Sequence, residues 1–120
     1  MYDYGLCIWG ENNFIIEEGK VKLNYKSKPA VVDILKDVRS RGIKGPVLLR
    51  FPHLIEKQIE SLYTHFKNSS KENRYKGSFN AVFPLKVNQF PNFVRSLVNI
   101  GEKYGYGLEA GSKAELFIAM

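Results

Sequence analysis

The sequence predicts an α/β fold, with a β-hairpin lead-in followed by strand–helix units of a parallel sheet. Two observations carry this prediction. Short apolar–polar alternations flank a glycine near the N-terminus, and from Pro46 onward short apolar runs alternate with stretches of 3.6-residue period. The pattern also stops in the middle of its last helix, so the chain is expected to be the front portion of a longer one.

In the hairpin, Phe14-Ile15-Ile16-Glu17 and Val21-Lys22-Leu23-Asn24-Tyr25 surround Glu18-Gly19-Lys20. Pro29 then opens a helix whose apolar positions, Val31, Ile34, Leu35 and Val38, lie on one face, and Gly42 follows it. Val47-Leu48-Leu49-Arg50-Phe51 is nearly continuous in apolar character and reads as a strand covered on both faces. Ile55, Ile59, Leu62 and Phe66 mark the next helix. The stretch Lys67–Lys76, with Asn68, Ser69, Ser70 and Asn73, has the chemistry of a surface loop. A second strand is expected over Phe79–Leu85. The helix after it is marked by Phe93, Leu97, Ile100 and Tyr104, with Pro91 near its first turn and Gly105 past its end. Gly107-Leu108-Glu109-Ala110 reads as a third strand. Ser112 and Glu115 then match a capping box opening a helix through Leu116–Met120. Strand–helix repeats at this spacing are β-α-β units of a parallel sheet.

Composition narrows the class. At 120 residues, 44% hydrophobic and 25% charged, the chain is neither disordered nor fibrous, and it makes at most one domain. Its longest apolar runs fall far short of the ~20 residues a membrane span needs. No basic segment precedes an apolar one at the N-terminus, and a lone Cys7 gives neither a disulfide nor a zinc-ligand pattern; Cys7 is expected to pack. A soluble, reduced, cytoplasmic protein without a membrane partner is the expectation. The net charge of +6 raises nucleic-acid binding, with Lys67, Lys71, Arg74 and Lys76 opposed only by Glu72. Without interleaved aromatics, a solvated loop is the preferred reading and no nucleic-acid partner is expected.

The stretch that could carry chemistry runs from Asn80 to Gln89. Strand alternation sets Phe79, Ala81, Phe83 and Leu85 on one face and Asn80, Val82, Pro84 and Lys86 on the other. In a closed barrel the bulky face would meet the helices and the second would point inward. Pro84 has no N–H for the ladder, so pairing should end there. Lys86 then stands at the C-terminal mouth of its strand, where barrel enzymes hold their catalysts. An amine there can form a Schiff base with an aldehyde cofactor; an ordinary surface lysine is the competing reading.

Val82-Phe83-Pro84-Leu85-Lys86-Val87-Asn88-Gln89 resembles the cofactor-lysine motif of biosynthetic arginine decarboxylases. Gly107-Leu108-Glu109-Ala110-Gly111-Ser112-Lys113-Ala114-Glu115-Leu116 is similar to the block that follows it in that family. Gly45–Ile55 and Tyr4–Ile16, with Trp9-Gly10, resemble the family's N-terminal region. The resemblance spans nearly all of this chain but only the front of a family member. It implies a pyridoxal-phosphate carboxy-lyase converting L-arginine to agmatine and carbon dioxide, feeding polyamine (putrescine and spermidine) synthesis.

The fold so implied is the start of a (β/α)₈ TIM-type barrel, truncated because such a barrel takes about 250 residues. Residues 1–28 would be the N-terminal β segment and 29–120 the incomplete start of the cofactor-binding barrel. Lys86 matches the lysine that carries the cofactor, and Glu109 an acidic position near it; a strand-end acid paired to a helix is the alternative for Glu109. Ser112 and Glu115 are accounted for by the capping box, and Lys113 by a solvated first turn. His53 reads as a turn residue, and Arg50, inside an apolar strand, needs a partner, either a structural acid or the substrate carboxylate. Magnesium is implied by the family alone, and no metal ligand is assigned. A homo-oligomer whose second subunit completes the site is also implied. The 120 residues alone are expected to be inactive. Rival readings are a decarboxylase for ornithine, lysine or diaminopimelate on the same fold, or a small basic nucleic-acid-binding module.

Overall fold

A computed structural model describes residues 3–120. Contacts divide the chain into two compact units, one extending to Leu49 and one from Arg50 to Met120; residues 29–49 thus group with the hairpin.

The first unit opens with a single helical turn, α1 (Leu6–Trp9), and a hairpin of β1 (Phe14–Glu17) and β2 (Lys20–Leu23). The strands pair antiparallel, with Phe14 opposite Leu23 and Glu17 opposite Lys20. The connection is two residues long, one shorter than the sequence suggested. Glu18 (φ 54°) and Gly19 (φ 70°) are both left-handed, as a type I′ turn requires, and that turn's twist matches the strands it joins. Helix α2 (Val31–Ser40) follows, with Val31, Ile34, Leu35 and Val38 half-buried on one face as their spacing predicts. Ion pairs tie the unit together. Lys28 and Lys22 both reach Glu17, and Lys20 reaches Asp33 of α2 at 3.2 Å. Donation from Lys28, then from Lys22, holds the Glu17 carboxyl below its ordinary range; donation from Lys20 does the same for Asp33. Cys7 is exposed rather than packed. A hydrogen bond to the Asp3 carboxylate raises its thiol pKa, which lowers its reactivity.

The second unit holds α3 (His53–Glu72), β3 (Val82–Pro84), α4 (Pro91–Gly101), β4 (Gly107–Glu109) and α5 (Lys113–Ala119). Three expectations are corrected here. Val47–Phe51 forms no strand; nothing among the described strands pairs with it, and an extended run becomes a strand only through a partner. Arg50 is accordingly exposed, its guanidinium lying 4.3 Å from the centre of the Phe90 ring rather than buried against an acid. Much of the basic stretch is helix, because α3 continues to Glu72 before Arg74 turns left-handed at φ 54°. Adding a residue to an existing helix is far easier than nucleating one, so Asn68, Ser69 and Ser70 follow the turns before them.

Strands β3 and β4 pair in parallel across α4, with Val82 opposite Gly107 and Pro84 opposite Glu109. The core lies between this pair and the helices. Leu85 has no exposed surface, and Ile59, Val94 and Leu97 are buried with it. The predicted parity of β3 holds. Ala81 and Leu85 are buried and Phe83 meets Phe93 of α4 at 5.4 Å, whereas Val82 on the opposite face is half exposed. Phe79 stacks on Phe66 at 4.0 Å, and the Tyr63 hydroxyl accepts the Ala81 N–H at 3.2 Å, fixing the approach to β3. Lys103 pairs with Glu56, joining the end of α4 to α3.

Candidate active site

Strand β3 ends at Pro84 for the reason its sequence gives: the ring nitrogen has no hydrogen for the ladder. The chain then closes a 3₁₀ turn over Leu85–Val87. The sequence reading carried strand geometry through Leu85; the structure instead puts Lys86 on this turn, two residues past Pro84, the last residue of the strand. Leu85 anchors the turn in the core while Lys86 is exposed. On the parallel neighbour, Glu109 is the last residue of β4, in register with Pro84. The lysine and the half-buried glutamate therefore stand at the same, C-terminal end of the sheet, as expected for Lys86 from strand alternation and for Glu109 from the family resemblance.

Beyond Glu109 the chain crosses to α5 in three residues, Ala110, Gly111 and Ser112. Ser112 is the N-cap, its hydroxyl accepting the Glu115 N–H at 3.2 Å. The reciprocal half of the predicted capping box differs. The Glu115 carboxylate reaches past the cap and accepts the N–H of Gly111 at 2.7 Å. A Cβ on Gly111 would lie 3.3 Å from Glu109 Oε1 and 3.5 Å from Glu115 Oε2, so both carboxylates border the volume that glycine leaves open. The Ser-x-x-Glu spacing signals the cap; which N–H the glutamate would take was not readable from it.

The other candidates lie apart from this pair in role. Lys113 is the exposed first residue of α5. His53 begins α3, its ring edge-on to Phe51 at 6.2 Å. Among the described residues no group of three or more His, Cys, Asp or Glu side chains converges as a metal site. No described helix is long and apolar enough to cross a membrane.

No family model matches the chain. Curated proteins do. The biosynthetic arginine decarboxylase of a Prochlorococcus marinus strain is 38% identical over 122 aligned residues, covering 98% of this chain and 19% of the relative. The biosynthetic arginine decarboxylase of Citrifermentans bemidjiense is 37% identical over the same length and shares. A crystal structure of the biosynthetic arginine decarboxylase SpeA from Campylobacter jejuni superimposes with a TM-score of 0.94 at 63% identity, over 99% of this chain and 20% of that one. The chain is homologous to the N-terminal part of the biosynthetic arginine decarboxylases. It spans about a fifth of the length of the curated decarboxylases it matches. The sheet end bearing Lys86 and Glu109 lies within the part of the chain that this arginine decarboxylase structure covers.

Proposed function

We propose that this chain forms the N-terminal part of a pyridoxal-phosphate-dependent decarboxylase that releases carbon dioxide from L-arginine and leaves agmatine, the first step toward polyamines. The observation that carries the reading is the likeness to the Campylobacter jejuni arginine decarboxylase at 63% identity over 99% of the chain. On this reading β3, α4, β4 and α5 begin a (β/α)₈ barrel, with Lys86 and Glu109 at the catalytic end of its strands. A second subunit completing the site belongs to the same proposal.

The residues present fit the aldehyde carbon of that cofactor: an accessible primary amine and a carboxylate share one end of two parallel strands. Lys86 would hold the cofactor covalently. When bound, pyridoxal phosphate supplies the electron sink for the pair left as carbon dioxide departs. Glu109 would accept a hydrogen bond from the Lys86 ammonium and so hold its proton at hand for delivery to the substrate carbon. Leu85, locked in the core, holds the Lys86 backbone still while its side chain stays free to move between these tasks. The described residues offer magnesium no ligand cluster, so no step is assigned to it.

Borohydride reduction of the intact holoenzyme, followed by peptide mapping, tests the assignment without relying on turnover. A pyridoxyl mass increment on Lys86, lost in Lys86→Ala and retained in Lys113→Ala, is expected. The contrast rests on placement, since Lys86 follows β3 at the end of the sheet that Glu109 shares, whereas Lys113 is the exposed first residue of α5. A label on Lys113, or on neither lysine, would refute it.

A further inference from the structure

We propose that Glu115 is a positioning residue that acts through the backbone of Gly111 to aim the Glu109 carboxylate. The inference rests on the reading of Glu109 as the partner of Lys86. Three observations support it. Glu115 accepts the Gly111 N–H at 2.7 Å, a short charge-assisted bond, and does so one residue before the position at which a capping box closes. Ser112 binds the Glu115 N–H at 3.2 Å, so the base of the Glu115 side chain is itself fixed to the turn that it stabilises. The open volume at Gly111 is bordered by Glu109 Oε1 at 3.3 Å and Glu115 Oε2 at 3.5 Å, so a movement of Gly111 displaces the neighbour of the Glu109 carboxylate.

The chain geometry explains why such a clamp has leverage. On its N-terminal side Glu109 is held by the ladder to Pro84, but the ladder ends there. Only Ala110 separates it from Gly111. With Gly111 held by Glu115, the backbone on both sides of Glu109 is fixed, and the side chain has few directions left. Without the bond the link can rotate, and the Glu109 carboxylate loses its fixed distance to the strand end that carries Lys86.

The test uses the intact holoenzyme carrying Glu115→Gln, Glu115→Ala, Glu115→Asp, Glu109→Gln, and the double variant Glu109→Gln/Glu115→Ala. Glutamine keeps an acceptor oxygen at the same reach, alanine removes it, and aspartate keeps the charge on a shorter arm. Expected are a kcat within about 3-fold of the parent for Glu115→Gln, and a loss of about 10-fold or more for Glu115→Ala and Glu115→Asp with KM little changed. In the Glu109→Gln background, Glu115→Ala should cost less than about 2-fold, the non-additivity expected of residues acting as a unit. Amide exchange in the peptide containing Gly111 should accelerate in Glu115→Ala and Glu115→Asp but not in Glu115→Gln. A Glu115→Gln variant as impaired as Glu115→Ala, or full additivity in the double variant, overturns the proposal while leaving the role of Glu109 standing. An unchanged kcat in Glu109→Gln alone overturns the reading of Glu109 and the positioning role with it.

Discussion

Replacing Leu85 with alanine should destabilise the second unit more than any surface change near the candidate site. Leu85 has no exposed surface, and the substitution removes three buried carbons. At about 0.8 kcal/mol per methylene the transfer loss alone is about 2.4 kcal/mol, and the cavity left behind raises the total to about 2.5–5 kcal/mol. Leu85→Met conserves volume and should cost less than about 1.5 kcal/mol. Hydrogen exchange of amides in α4 that open only with this unit reads the difference directly, since Val94 and Leu97 are buried in the same core. A loss of 2.5 kcal/mol multiplies the open population about 60-fold, and exchange should accelerate by that factor or more in Leu85→Ala. Exchange in Leu85→Ala no faster than in Leu85→Met would refute the reasoning, because Leu85 would then not be filling the space that the structure gives it.

Acid should loosen the first unit by way of its ion pairs. Carboxyls held below their ordinary range contribute stability that is complete above the unfolded-state value and lost as pH falls through the folded-state value. Fluorescence of Trp9, the single tryptophan, which lies 5.4 Å from the Phe14 ring, should therefore stay native-like until the pH is below the usual carboxylate range. An acid transition at or above that range would refute the assignment of Glu17 and Asp33. The 120 residues by themselves should form no agmatine, since two parallel strands leave Lys86 open to water; agmatine above the no-protein background would overturn that expectation.

What was legible in the sequence depended on whether the signal was local. The hairpin around Glu18-Gly19, the apolar face of α2 and the Ser112 cap are decided within a few residues, and each appears where the pattern put it, apart from shifts of one or two residues. The alternation through Phe79–Leu85 fixed which face of β3 is buried, because the helices need bulky residues on that side alone. Val47–Phe51 was not legible, since pairing lies outside the run itself. The extent of α3 was also hidden: polar residues that favour a loop in isolation cost little at the end of an established helix. At the site, the place of Lys86 at the strand mouth followed from strand parity and the position of Pro84, whereas Glu109 was singled out by the family resemblance. The bond from Gly111 to Glu115 could not be found, because the Ser-x-x-Glu pattern serves equally well whichever of two neighbouring N–H groups the glutamate accepts.

The two segments that carry Lys86 and Glu109 at one end of the sheet are held by opposite means, and this bears on how the site tolerates change. Lys86 follows a residue locked by apolar packing, so its backbone is held by a non-directional force that substitutions of similar volume preserve. Glu109 precedes a link with little burial, which is held by hydrogen bonds from the Gly111 N–H to the Glu115 carboxylate and from the Glu115 N–H to the Ser112 hydroxyl, and such bonds fail when an acceptor is moved by one methylene. Changes around Leu85 should therefore be felt first as stability, with the lysine still competent in the molecules that remain folded. Changes around Gly111 should be felt first as chemistry, with the fold little altered. The difference follows from what holds each residue, and it makes the short β4–α5 link, rather than the core, the part of this chain where substitutions alter the proposed reaction most directly.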